Sequence, residues 1–283
     1  MSDVGTQLAS TVIFLFAIGQ SGQIPIGTAF IVGYPVPEKP GAYVPLVVTA
    51  KHVIGDNTKV YGRFSTQEGK STATAEYDLA ALKHSGDYWE HPDSGVDIVV
   101  FRTLNFAEAK YQALPMEFVA SKDDFKSAEI QTTDRVVLPG LLVNFMGLSK
   151  NYPIIRGGSI ALMPDEPVPM KYYVGARLVE TRQDVLFIDG TAVQGESGSP
   201  VFLWPGPRLQ GSVFAVGGTK PLMLGVLHGF YPAAPREVTT MQTGTAPSFA
   251  ENSNIAIAFP SWRLREILDS PALKARMQEI SKQ

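Results

Sequence analysis

Three residue types in this chain are placed to do chemistry together: a serine among glycines, a histidine where an apolar strand runs out, and an aspartate just ahead of another such strand. The serine lies in Gln194-Gly195-Glu196-Ser197-Gly198-Ser199-Pro200-Val201-Phe202. Glycines there let the backbone turn sharply and bring N–H groups close to a substrate oxygen. A hydroxyl is a poor nucleophile at neutral pH. It needs a base within hydrogen-bond reach, and the base needs an orienting partner. Of the four histidines, His52 ends the apolar run that begins at Leu46, which puts a titratable ring at a cleft edge. Asp97 directly precedes Ile98, Val99, Val100 and Phe101. A carboxylate partly buried there needs a specific partner, and an imidazole N–H is a fitting one.

Composition narrows the classes these residues can serve. The 283 residues allow one large domain or two ordinary ones, and 45% are hydrophobic, enough for a substantial core. Only 18% are charged, whereas glycines number 26 and prolines 21, a balance that favours many short strands over long surface helices. A net charge of −3 argues against a general binder of nucleic acid or anionic membrane. The absence of cysteine excludes disulfides, thiolate catalysis and Cys-rich zinc sites, and fits a reducing compartment. The apolar run over 11–18 is shorter than the about 20 residues a bilayer needs. It is preceded by Asp3 and by no Lys or Arg, unlike an export signal. A cytoplasmic protein is the expectation.

The elements that must position these residues are strands. β-branched and aromatic runs bounded by turn formers recur over 12–18, 27–33, 43–50, 59–64, 72–77 and 96–101. A second set covers 136–146, 154–161, 176–180, 185–188, 200–204, 221–229 and 254–259. Between them, about 105–130 reads as a connector with one short helix. The polar stretch 235–254 reads as a mobile surface loop. At the end, Ser270 and Pro271 open a helix as cap and first residue, and Leu273, Met277 and Ile280 make its apolar stripe. With no βαβ alternation, the pattern predicts two β-barrels or sandwiches side by side.

On these segments the chain resembles the trypsin-like serine peptidases of the chymotrypsin fold. Thr49-Ala50-Lys51-His52, Asp97-Ile98-Val99-Val100 and Gly195-Glu196-Ser197-Gly198-Ser199-Pro200 are similar to that family's three signature segments, in the same order. His52 and Asp97 are 45 residues apart, and Asp97 and Ser197 are 100 apart, ordinary for one barrel followed by another. The stretches 27–32, 224–229 and 254–260 are similar to the family's early strand, substrate-lining strand and closing strand. The likeness covers about 10–270 and is greatest to the cysteine-free bacterial branch. It implies a mainly β chain of two six-stranded antiparallel barrels with a C-terminal helix. Residues 1–112 would form the barrel carrying His52 and Asp97, 113–131 the connector, 132–260 the barrel carrying Ser197, and 261–283 the helical segment.

The resemblance further implies that Ser197 attacks the scissile carbonyl, His52 shuttles its proton and Asp97 orients His52. Gly195 and Ser197 would supply the oxyanion-hole N–H groups. Thr191, Gln194, His228 and Gly229 would meet the substrate, a polypeptide. No metal and no cofactor are called for, nor any nucleic-acid or membrane partner. The family usually has Asp where Glu196 stands, and no activation segment is visible. Glu196 is left to meet a basic side chain or a backbone amide, or to face solvent. Thr191 falls where the primary pocket floor lies, with Asp189 two positions early, so a neutral pocket is expected. His228 reads as a hydrogen-bonded structural histidine rather than a second base, and His84 and His91 are given no role. The competing class is a protease fold that is inactive, or activated by a protein partner, and works in binding or regulation.

Overall fold

A computed structural model describes residues 4–20, 22–36, 39–104, 108–204, 206–210, 213–215, 222–232 and 252–282. Most of the stretch 235–254, read above as a mobile loop, lies outside the described residues. The first half is one sheet, antiparallel but for one short strand, in which Gly22–Pro35 pairs with Val12–Gly19 on one side and Tyr43–Thr49 on the other. Lys59–Thr66 and Thr72–Asp78 extend it beyond Val12–Gly19, and Val99–Arg102 and Tyr88–Glu90 extend it beyond Tyr43–Thr49. Two-residue strands add to it, Ala109–Lys110 on Lys59–Thr66 and Leu114–Pro115, in parallel, on Gly22–Pro35. Among the described residues the first unit therefore has nine strands rather than six. The second half is a closed barrel of six: Arg135–Gly140, Ile154–Leu162, Leu186–Asp189, Asn252–Pro260, Met223–Pro232 and Pro200–Leu203. The chain is mainly β with helix at its end, as expected.

Strand alternation explains how the halves join. Successive side chains of a strand point to opposite faces. In Gly22–Pro35, Ala29 and Ile31 enter the interior of the first sheet, while Phe30 and Val32 enter a different cluster. The same split divides Val47 from Leu46 and Val48, and Val99 and Phe101 from Val100. These strands are buried on both faces, so they read as unbroken apolar runs. The cluster holding Phe30, Val48 and Val100 also holds Phe202, Val226 and Phe259 of the closed barrel. It is the seam between the two units, whereas the barrel interior is a separate cluster around Leu138, Ile188, Leu224 and Ala258.

Sequence periodicity misplaced a few elements. The run 136–146 keeps strand geometry only to Gly140. A hairpin of Val168–Val174 and Arg177–Gln183 stands outside both sheets, and its first strand was not among the expected runs. His52 sits on a single helical turn, Lys51–Ile54, immediately after its strand. The connector does carry a short helix, Lys122–Ser127, closed by a reciprocal Ser121–Asp124 capping box.

The final helix, Pro271–Ser281, is capped by Ser270, whose hydroxyl oxygen accepts from the Leu273 N–H at 3.3 Å. Leu273 and Met277 are buried in the seam cluster. Arg276 donates to the buried Asp87 at 2.8 Å, which ties the helix to the first unit. Truncating Leu273 to Ala should therefore destabilise the whole chain by about 2–5 kcal/mol in urea unfolding. A cost below about 0.5 kcal/mol would mean the helix is not part of the core.

Candidate active site

Asp97 lies just before Val99–Arg102 at the seam and is 1% exposed. Its two carboxylate oxygens divide the work. Oδ1 accepts the backbone N–H of His52 at 2.8 Å. Oδ2 meets Nδ1 of His52 at 2.5 Å and Nδ1 of His228 at 2.6 Å. Burial alone would push the Asp97 carboxyl up, but the charge of His52 and hydrogen bonds from both imidazoles outweigh it and hold it well below the usual range. For His52, burial pushes the ring down, and the charge and hydrogen bond of Asp97 more than offset this, so the ring is raised above its ordinary value.

Ser197 follows the turn Val193–Glu196, in which the Glu196 N–H donates to the Val193 carbonyl at 3.2 Å. Gly195, third in this turn, has φ of 99°, a value that L side chains rarely adopt. Neither the Gly195 N–H nor the Ser197 N–H takes a partner among the described residues. Gly198, at φ 87°, lies so close to the first sheet that a Cβ would stand 2.1 Å from the Thr28 carbonyl oxygen and 2.3 Å from Thr49 Oγ1. That approach, with the Thr28 N–H donating to the Ser197 carbonyl at 2.9 Å, pins the serine loop against the strands that lead to His52. The Ser197 hydroxyl donates to the His228 carbonyl at 2.9 Å, and no bond to His52 is among its described contacts.

Glu196 is 2% exposed and meets both partners the sequence left open. Oε1 accepts from Arg156 Nε at 2.5 Å, and Oε2 accepts the Val193 N–H at 2.8 Å. Burial pushes its carboxyl up, and the Val193 N–H and the Arg156 guanidinium offset only part of this. The pair spans the base of the turn that shapes Gly195. Thr28 braces the same loop, donating to the Gly195 carbonyl at 2.7 Å while accepting the Leu141 N–H at 2.9 Å.

The structure thus brings His52, Asp97, Ser197 and His228 together at the seam, with Gly195 one turn away. Gln194 is exposed on that turn. Thr191 is exposed too, its hydroxyl 3.2 Å from Asn254 Oδ1. Asp189 is exposed at the end of its strand. Gly229 follows an irregularity in the pairing of Met223–Pro232 with Asn252–Pro260. His91 pairs with Glu266 at 2.6 Å, far along the chain from the serine loop. Arg156 and Thr28 were missed, as was Tyr172, whose ring packs 4.8 Å from that of His228. The strand that carries Arg156, Ile154–Leu162, was expected, but no motif marks Arg156 as the partner of Glu196, 40 residues away. Among the described residues His52, Asp97 and His228 form the one group able to hold a metal ion, but both Nδ1 atoms are already hydrogen-bonded to the same Asp97 oxygen.

Comparison with solved structures bears on the frame that carries these residues. The MamO protease domain from Magnetospirillum magneticum superimposes with a TM-score of 0.53 at 12% identity, covering 93% of this chain and 97% of that one. The fold is chymotrypsin-like. The active form of the Rv3671c protease from M. tuberculosis matches this fold with a TM-score of 0.48 at 14% identity over 94% and 82% of the two chains. The thermostable serine protease AL20 from an extremophilic microorganism matches at 0.46 and 12% identity over 97% and 98%. No protein-family model matches the chain, and no curated protein matches it in sequence.

Replacing Arg156 by Leu should leave the buried Glu196 charge with one donor and cost about 1–3 kcal/mol in urea unfolding, the low side for a buried pair because Arg156 is about a third exposed. Adding Glu196→Gln to that variant should recover part of the loss. Strictly additive costs would contradict the coupling.

Proposed function

We propose that this protein is a serine endopeptidase that hydrolyses polypeptides through Ser197, His52 and Asp97. One observation carries the reading: a buried carboxylate bonded to Nδ1 of His52 within a site that also holds the Ser197 hydroxyl, on a chymotrypsin-like frame. An ionised carboxylate only accepts, so Nδ1 of His52 carries the hydrogen and Nε2 keeps its lone pair. Rotation about χ1 moves the Ser197 hydroxyl from the His228 carbonyl to Nε2. Its proton passes to His52 as the oxygen bonds to the scissile carbon. The carbonyl electron pair moves onto the oxygen, which the Gly195 and Ser197 N–H groups receive, each such donor being worth about 2.7–4 kcal/mol in the transition state. Collapse breaks the C–N bond, and the leaving amine takes the proton from His52. A water repeats the sequence on the acyl-enzyme and restores Ser197.

The substrate side follows from neutral groups. Thr191 carries no charge, so a preference for Arg or Lys at the cleaved position is not expected, and Gln194 and Gly229 offer polar backbone and amide contacts. A cytoplasmic location belongs to the same proposal, on the grounds of composition. A second reading, a protease-fold module that stays latent until a protein partner binds, is favoured by the Ser197 hydroxyl resting on the His228 carbonyl. The Glu196–Arg156 pair and the positive φ of Gly195 favour the active reading.

Labelling with a fluorophosphonate probe tests this directly. The wild type should label, Ser197→Ala should not, and His52→Ala should slow turnover on the order of 10⁶-fold. Because His52 must be neutral to accept a proton and its raised value keeps it charged longer, the rate should fall on acidification with a midpoint above about 6.5. Wild type that stays unlabelled would favour the latent module, and tenfold losses would refute the assigned roles.

A further inference from the structure

We infer that His228 is a positioning residue, a second imidazole donor that shares Asp97 with His52 and sets how strongly His52 holds a proton. Its consequence for catalysis rests on the hydrolase reading, but the sharing itself does not. Both ring nitrogens meet the same oxygen, Asp97 Oδ2, at 2.5 and 2.6 Å. Since an ionised carboxylate donates nothing, both Nδ1 atoms must carry hydrogen. Each N–H draws on the same negative charge, so less of it serves the His52 imidazolium than a singly partnered oxygen would supply.

The fold holds His228 in that place. Pairing of Met223–Pro232 with Asn252–Pro260 slips between Leu227 and Gly229, which takes His228 out of the ladder. Its ring centroid lies 4.9 Å from that of His52 at 73°, so the two rings stand edge-on around the carboxylate. Tyr172 and Phe259 wall it at 4.8 and 5.8 Å, and the Tyr172 hydroxyl is tied to the Gly95 carbonyl at 2.9 Å. One residue therefore touches the acid through its ring and the nucleophile through its carbonyl. The titratable groups facing it are Asp97 and His52 from the first unit and Tyr172 from the hairpin, whose phenol burial pushes up. Lys51, Arg177 and Asp93 act on this cluster at longer range, and Phe259 brings no charge.

Removing the donor should return the full Asp97 charge to His52 and raise its titration midpoint. The test is a histidine ¹⁵N NMR titration of the full chain as wild type, His228→Phe and His228→Asn, paired with the pH dependence of fluorophosphonate labelling. Phe keeps a ring between Tyr172 and Phe259 without a donor, and Asn places an amide nitrogen where Nδ1 stood. The His52 midpoint should rise by about one pH unit in His228→Phe and return to the wild-type value in His228→Asn. The acid limb of labelling should move with it. His228→Leu serves the same comparison if the Phe variant does not fold. If no variant labels but the midpoint moves as stated, the hydrolase reading falls and the sharing stands. A midpoint unchanged or lowered in the donorless variant overturns the inference.

Discussion

A single negative charge, that of Asp97, constrains most of this structure. A carboxylate that is 1% exposed loses nearly all its hydration, a cost of several kcal/mol unless other groups replace the water. Three donors do so here: the backbone N–H of His52 and two imidazole N–H groups. They come from opposite sides of the seam, His52 from the first unit and His228 from the closed barrel. The first unit supplies two of the three donors and the closed barrel the third. The third donor completes the shell of hydrogen bonds around the charge.

Glu196 repeats this logic one residue from the nucleophile. It too is buried, and it too is met by a distant side chain and a local N–H, here Arg156 and Val193. One buried acid orients the ring that would take a proton; the other braces the turn that gives Gly195 its positive φ. Between them the serine loop has little freedom, because Gly198 is packed against Thr28 and Thr49 with no room for a side chain. The Ser197 hydroxyl itself rests on the His228 carbonyl, and the proposed cycle requires it to turn from there to the His52 ring.

Local order was legible in the sequence, and long-range pairing was not. Apolar runs located Val99–Arg102, Tyr43–Thr49 and Pro200–Leu203 because strands buried on both faces carry few polar residues. Ser270 and Pro271 announced the last helix because caps are local chemistry. The hairpin strand Val168–Val174 carries Pro169, which weakens a strand pattern in sequence and which a two-stranded arm tolerates. The nine-strand make-up of the first sheet was hidden because Tyr88–Glu90, Ala109–Lys110 and Leu114–Pro115 are too short to leave a pattern. At the site, residue type, position beside apolar runs and the likeness to known signature segments singled out His52, Asp97 and Ser197. Arg156, Thr28 and the ring contact of His228 depend on which strands face each other, information that no window of sequence contains.

The central claim is that Asp97 acts through its charge on His52 and not as a mere packing element. It is tested most directly by measuring the rate of Ser197 phosphonylation in Asp97→Asn, with near-UV circular dichroism as the check on folding. A neutral amide of the same shape can donate to Nδ1 and favour the wrong tautomer, so the rate should fall about 10⁴-fold while the spectrum is kept. A folded variant that reacts at close to the wild-type rate would contradict the account.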